Sequence, residues 1–159
     1  MNNKEYTNIV DKYANDVYRV ALSYCKSSYD ADDILQNTFL KLLKTDTIFK
    51  DEQHLRYWLL RVAINECKNL LSSFWRRKIG SLELLEVEPV FSMPEENELF
   101  EAVMQLPRKY RLVVHLYYYE GYTTVEIGQL LHMKEATVRT HLVRARKHLR
   151  QDLKEWYDE

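Results

Sequence analysis

A chain of 159 residues is long enough for one ordinary domain or two small ones, and an apolar content of 46% excludes a generally disordered chain. Three glycines and three prolines are too few for the tight turns of a sheet-rich fold, so the composition points to helices with short connections. A formal net charge of −1, from 23 basic and 24 acidic residues, excludes a uniformly basic nucleic-acid binder and makes the distribution of charge the informative quantity.

Residues 1–11 do not have the character of a secretory signal, and no apolar run reaches the roughly 20 residues that span a bilayer, so a cytoplasmic protein is expected. The first helix carries Ile9, Tyr13, Val17 and Val20 or Ala21 at spacings of three to four, with Leu22 and Tyr24 extending that face. Polar residues 26–29 interrupt it. Asp30 is the expected N-cap of the next helix, with Asp32 and Asp33 in the first turn, where acids complement the helix dipole. Ile34, Leu35, Thr38, Phe39, Leu42 and Leu43 form its apolar side. Residues 45–53 are polar and aperiodic and read as a loop. A third, long helix is expected from about His54 to Lys78, burying Leu55, Leu59, Val62 or Ala63, Leu70 and Phe74.

The other face of that helix is polar. Arg61, Asn65, Lys68, Asn69, Ser72 and Arg76 recur at three to four residues, Arg77 and Lys78 extend the charge, and Tyr57, Trp58, Phe74 and Trp75 lie close by. Cations hold phosphates and Asn amides read base edges. The same pattern also describes a solvated helix face, and Trp58 reads as a core residue rather than a stacking platform.

Residues 79–94 break the helical pattern with Gly80, Pro89 and Pro94. The acids between Ser81 and Glu98 are Glu83, Glu86, Glu88, Glu95, Glu96 and Glu98, with no Lys or Arg among them. An acidic, proline-punctuated stretch between helical blocks reads as a flexible linker or a plain solvated spacer. Helices resume at Leu99. Pro107 is expected in the first turn of the helix that buries Leu112, Val113, Leu116 and Tyr117, and Gly121 ends it.

Residues 123–149 read as a helix-turn-helix. Thr123 or Thr124 caps a short helix with Glu126 in its first turn, and Val125, Ile127, Leu130 and Leu131 supply apolar contacts. Gly128 leaves room for a second helix to cross closely. The last helix, from about Glu135, has a buried stripe of Val138, Leu142, Ala145 and Leu149. Ala136, Thr140, Val143 and Lys147 lie opposite, flanked by Arg139, Arg144 and Arg150, with Lys134, Arg146 and His148 adding positive potential. A helix with small or polar residues at its start and cations around it fits a major groove.

Several stretches resemble one family. They are Asp30-Ala31-Asp32-Asp33-Ile34-Leu35-Gln36-Asn37-Thr38-Phe39-Leu40, Arg56-Tyr57-Trp58-Leu59-Leu60-Arg61-Val62-Ala63-Ile64-Asn65 and Leu106-Pro107-Arg108-Lys109-Tyr110-Arg111. With them go Glu126-Ile127-Gly128 and Thr137-Val138-Arg139-Thr140-His141-Leu142-Val143-Arg144-Ala145-Arg146. In this order and spacing they resemble the extracytoplasmic-function sigma factors of bacterial RNA polymerase over nearly the whole chain, the linker excepted. The resemblance implies an all-α protein of two small helical domains, 1–78 and 99–159, joined by a flexible acidic linker, 79–98, the second domain carrying the helix-turn-helix.

The resemblance also implies roles. Asp33, Gln36, Phe39 and Leu40 would dock on core RNA polymerase. Residues 50–55, including Lys50 and His54, would form the loop that captures a flipped base of the minus-ten element, with Arg61, Asn65, Lys68, Asn69 and Arg76 along the adjoining strand. Lys134, Arg139, Thr140, His141, Val143, Arg144 and Lys147 would face the minus-thirty-five element. Leu112, Val113 and Leu116 would either pack internally or meet the polymerase flap, and the linker's acids would run toward the RNA exit path. His132 stands where the family's turn commonly carries Gly, Lys134 where a Pro or Ser often starts the recognition helix, and His141 where Arg is more usual.

The implied partners are core polymerase and promoter DNA, with a membrane-associated anti-sigma protein as a further candidate and no small-molecule substrate. Cys25 and Cys67 read as reduced thiols, and no metal, cofactor or catalytic set is expected. No Gly-rich phosphate loop or HExxH is present, and His54 and His115 read as surface or core residues, so an enzyme is the least favoured class. The competing readings are a stand-alone helix-turn-helix regulator, which predicts dimers on a symmetric operator, and a helical adaptor that binds only proteins.

Overall fold

The computed structural model describes the backbone of residues 1–77 and 98–157 and the side chains of 1–72 and 99–153. Phe74, Arg76 and the whole linker expectation, 79–98, therefore lie outside the described side chains. The described residues form seven α-helices and no strand, and the chain divides into two compact units, Met1–Phe91 and Ser92–Glu159.

In the first unit α1 (Asn3–Cys25), α2 (Ser28–Lys44) and α3 (Glu52–Arg77) pack pairwise against one another. A reciprocal cap starts α1: the Asn2 side chain accepts the Glu5 N–H at 2.8 Å, and the Glu5 carboxylate reaches back to the Asn2 N–H. Lys26, left-handed at φ 54°, ends it. The break before α2 is only two residues long. Its N-cap is Ser27, whose hydroxyl accepts the Asp30 N–H at 3.2 Å, so Asp30 stands inside the first turn rather than at the cap. Both residue types cap well, and the earlier one wins because it satisfies the amides of a helix that starts sooner.

The core joins Tyr13, Val17, Tyr18 and Ala21 of α1 to Ile34 and Leu42 of α2 and to Leu59, Leu60, Ala63, Ile64 and Cys67 of α3. Leu43, expected inside, is 53% exposed. Polar ties cross the seams: the Tyr6 hydroxyl donates to the Phe39 carbonyl at 3.0 Å, Lys41 pairs with Glu66, and Arg56 lies 3.8 Å from Asp16. Cys25 and Cys67 form no disulfide.

The second unit is built from α4 (Glu98–Gln105), α5 (Arg108–Val114), α6 (Thr124–Leu131) and α7 (Glu135–Tyr157), with α7 packed against the other three helices. Pro107 is extended at φ −53°, ψ 145° and sits at the cap position just before α5, not inside its first turn. The buried Arg111 guanidinium donates to the Leu106 carbonyl at 3.0 Å, which ties α5 back to the end of α4.

Past Val114 the helix widens into a π-turn over His115–Tyr119, with the Glu120 N–H bonded to the His115 carbonyl five residues back at 3.1 Å. The widening brings two buried polar groups together, His115 Nε2 and Glu120 Oε1 at 3.0 Å. Gly121, at φ 73°, ends the element as expected. Leu112, Val113 and Leu116 are all at most 5% exposed, so they pack internally.

Candidate nucleic-acid interface

In the first unit the polar face of α3 is set by its start. Asp51 Oδ1 accepts the His54 N–H at 2.7 Å, which opens α3 two residues earlier than its periodicity suggested. From there His54, Trp58, Arg61, Asn65 and Lys68 follow at spacings of four, three, four and three. They form one stripe opposite the buried Leu59, Ala63, Ile64 and Cys67. Arg61, Asn65 and Asn69 are exposed, while Lys68 and His54 are half-buried.

Phe49, which the sequence reading passed over, closes the lower end of the stripe. Its ring meets His54 edge-on at 5.3 Å and Trp58 at 5.5 Å. Trp58 is half-buried rather than part of the core. The exposed Lys50 donates its N–H to His54 Nδ1 at 3.1 Å, so the loop and the helix start are one hydrogen-bonded unit.

On α2 a second stripe faces solvent: Tyr29, Asp33, Gln36, Leu40 and Leu43, at spacings of four, three, four and three. Leu40 and Leu43 are half-exposed, too apolar for a plain solvated face. Phe39, expected among the docking residues, is only 5% exposed. It lies at the edge of the core arc, where it supports the helix from beneath.

In the second unit the helix-turn-helix is held by local chemistry. Thr123 accepts the Glu126 N–H at 3.2 Å, and the Glu126 carboxylate accepts the Thr123 N–H at 3.0 Å. His132 ends α6 in the left-handed conformation at φ 55°. The turn passes so close to Gly128 that a Cβ there would sit 2.6 Å from the Met133 carbonyl oxygen. Val125, expected inside, is 50% exposed.

On α7, Val138, Leu142 and Ala145 are buried and Leu149 is half-buried. Lys134, Ala136, Arg139, Thr140, Val143, Arg144, Lys147 and Arg150 are all exposed. This combines guanidinium donors for guanine edges and phosphates with an exposed Val143 suited to a thymine methyl.

His141 does not share that face. Its ring packs edge-on against Tyr110 at 5.3 Å, and its Nδ1 is buried with no hydrogen-bond partner among the described residues. Desolvation, aided by the positive charges of Lys109 and Arg144, lowers its pKa from 6.5. The fold therefore favours neutral imidazole, whereas the unfolded chain takes up a proton as pH falls through about 6.5. The stability of this unit should be greatest above that value and decline as pH drops toward the folded-state pKa. Thermal melts of the protein and of His141→Phe, which keeps a ring on Tyr110 and has no proton to take up, should separate as pH falls, the parent losing stability relative to the variant. Parallel profiles would refute this.

The second unit also holds an apolar groove of about 460 Å³ that no single helix pattern indicates, because three helices contribute to it. Leu99 and Val103 of α4, Val114 and Tyr118 of the widened helix, and Leu149 and Leu153 of α7 line it, with Arg146 and Arg150 at its edge. Arg146 Nε donates to the Tyr118 hydroxyl at 2.7 Å, which steadies that edge.

Comparison with known proteins gives the two units an identity. Residues 9–77 match the model of Sigma-70 region 2, and residues 96–149 match that of Sigma-70, region 4. The chain is 30% identical over 149 residues to the ECF RNA polymerase sigma factor SigM of Bacillus subtilis, covering 89% of this chain and 91% of that protein. This chain belongs to the ECF RNA polymerase sigma factors. It is also 25% identical over 167 residues to the ECF RNA polymerase sigma factor SigW of Bacillus subtilis, covering 94% and 89% of the two chains. The sigma factor RpoE from Bartonella quintana, solved in complex with the anti-sigma factor NepR, has the same fold at a TM-score of 0.75 and 18% identity, covering 95% of this sigma factor and 98% of that chain.

This ECF sigma factor is thus a promoter-specific initiation factor that works with RNA polymerase and promoter DNA. A stand-alone regulator is not favoured, since a region 2 and a region 4 domain occur in one chain. Among the described residues no helix is long and apolar enough to cross a membrane.

Proposed function

We propose that residues 1–78 dock on core polymerase and hold the minus-ten element, and that residues 99–159 read the minus-thirty-five element, with 79–98 as the acidic link. One observation carries this reading: each unit presents its own solvent-facing helix stripe of cations and amides or hydroxyls, opposite its own core. Asp33, Gln36 and Leu40, with Tyr29 and Leu43, form the polymerase-docking stripe. Lys50, His54, Arg61, Asn65, Lys68, Asn69 and, by its spacing, Arg76 follow the minus-ten strand. Lys134, Arg139, Thr140, Val143, Arg144 and Lys147 face the upstream element, and His141 positions α7 through Tyr110.

The protein acts without catalysis of its own, in the cytoplasm where polymerase works. The groove between α4 and α7 suits an amphipathic segment of the polymerase or of an anti-sigma protein, its apolar lining meeting the apolar side and its arginines the acids. Near-zero net charge keeps free-protein DNA affinity low, since nonspecific binding scales with the phosphates neutralised. Core polymerase then supplies specificity by fixing the two domains at one separation.

The test is run-off transcription on genomic promoter fragments with sigma-free core polymerase. Discrete new transcripts that require this protein are expected. Tight, promoter-specific gel shifts by the free protein, with no dependence on core, would contradict the reading.

A further inference from the structure

We propose that Ile48 is a strand-separating wedge, an apolar side chain that enters the base stack at the edge of the melted promoter segment. The inference rests on the assignment of α3 and its loop to the minus-ten element and deepens it.

Ile48 is 89% exposed, more than any other large apolar side chain among the described residues. A lone exposed apolar residue is ordinary on a surface. Here, however, the residues on both sides are fastened. Before it, the Thr45 N–H bonds the Lys41 carbonyl at 3.0 Å. The Thr45 and Thr47 hydroxyls meet at 2.8 Å, and the Thr47 N–H reaches Thr45 Oγ1 at 3.3 Å. After it, Phe49 is set against His54 and Trp58, and the Lys50 N–H is bonded to the His54 ring. The loop is thus tied to α2 on one side and α3 on the other, and Ile48 projects between the two ties. Its exposure is built into the loop rather than left over from a loose one. A β-branched side chain also has few rotamers to lose on insertion.

Its surroundings favour DNA over a protein surface. Phe49 packs on His54 and Trp58, the first residues of the stripe that continues through Arg61 and Asn65, so Ile48 lies next to the lower end of that stripe. Lys44 and Lys50 are exposed on either side. Of the three nearby acids, Asp51 is engaged in capping α3, Glu52 is paired with Lys12, and Asp46 faces solvent. Cations that hold the backbone around one apolar side chain are the chemistry by which proteins open a base step: the side chain takes the place of the lost stacking partner.

The experiment uses holoenzyme assembled from core polymerase and either the protein or its Ile48→Ala and Ile48→Leu variants. The promoter, taken from the run-off pool, is supplied as full duplex and as a template pre-melted by mismatches across the minus-ten segment. Opening is followed by 2-aminopurine fluorescence, and core affinity is measured in parallel. Ile48→Ala is expected to open the duplex about tenfold more slowly and to match the protein on the pre-melted template. Ile48→Leu should stay close to the parent, and core affinity should not change. Equal slowing on both templates, weakened core binding, or no slowing at all would each overturn the wedge. Failure of the parent holoenzyme on the pre-melted template would instead refute the minus-ten assignment of α3.

Discussion

Gly128→Ala should lower the melting temperature of the second unit by about 5–20 °C and abolish the contribution of the upstream element to promoter binding by the holoenzyme. The added Cβ would stand 2.6 Å from the Met133 carbonyl oxygen and 3.7 Å from the Glu135 nitrogen. Neither neighbour can give way cheaply. The Met133 N–H is bonded to the Gly128 carbonyl at 2.8 Å, His132 before it is held left-handed, and Glu135 opens α7. Overpacking of this kind costs about 1–3 kcal/mol, and in a unit of this size each kcal/mol moves the midpoint by about 4–8 °C. Relief can come only from moving α7 relative to α6, which displaces the face that carries Arg139 and Arg144. Two-transition calorimetry of the protein, with promoter binding by the holoenzyme measured on templates with and without the upstream element, checks both halves. An unchanged second transition would show that the turn is more pliant than its geometry implies.

Arg144→Ala and Asn65→Ala should each reduce promoter-dependent transcription by about ten- to a hundredfold, the value of a good base-edge contact of roughly 1–3 kcal/mol. Both side chains are exposed on faces opposite their cores, so thermal stability should stay within about 0.5 kcal/mol of the parent. Their dependence on template should differ. Deleting the upstream element should erase the Arg144 effect and leave the Asn65 effect in place, while an unrelated promoter should restore neither. Lys147→Ala, which on the proposed reading removes a phosphate contact, should weaken all promoters evenly and lessen the salt dependence. If Arg144→Ala is equally damaging on a template without the upstream element, α7 does not read that element.

Features that depend on neighbours along the chain were legible in the sequence. Helical periodicity placed the buried stripe of α7 and the polar stripe of α3, because side chains three and four apart share a face whatever lies outside the helix. The Thr123–Glu126 cap, the stop at Gly121, the close approach at Gly128 and the left-handed His132 follow from backbone geometry and side-chain reach over a few residues. A resemblance spread over both blocks pointed to the ECF sigma factors, whose membership the similarity to known proteins then established.

Periodicity cannot decide residues at the edge of an apolar arc, because the helix packed alongside determines which of them is covered. Leu43 turned outward on α2, Val125 stayed exposed on α6, and His141 was drawn against Tyr110 of α5, whereas Phe39, to which the resemblance gave a docking role, is buried on the apolar side where periodicity placed it. Ser27 and Asp30 were both competent caps, and only the packed length of α2 chose between them. The π-turn that pairs His115 with Glu120, the groove shared by three helices, and the Phe49 clamp that leaves Ile48 in solvent join residues with no common local pattern. The sequence by itself determined which faces each helix could offer, because that is a matter of spacing along one chain. The tertiary structure alone decided which side chains those faces leave in water, because burial depends on the neighbour that arrives.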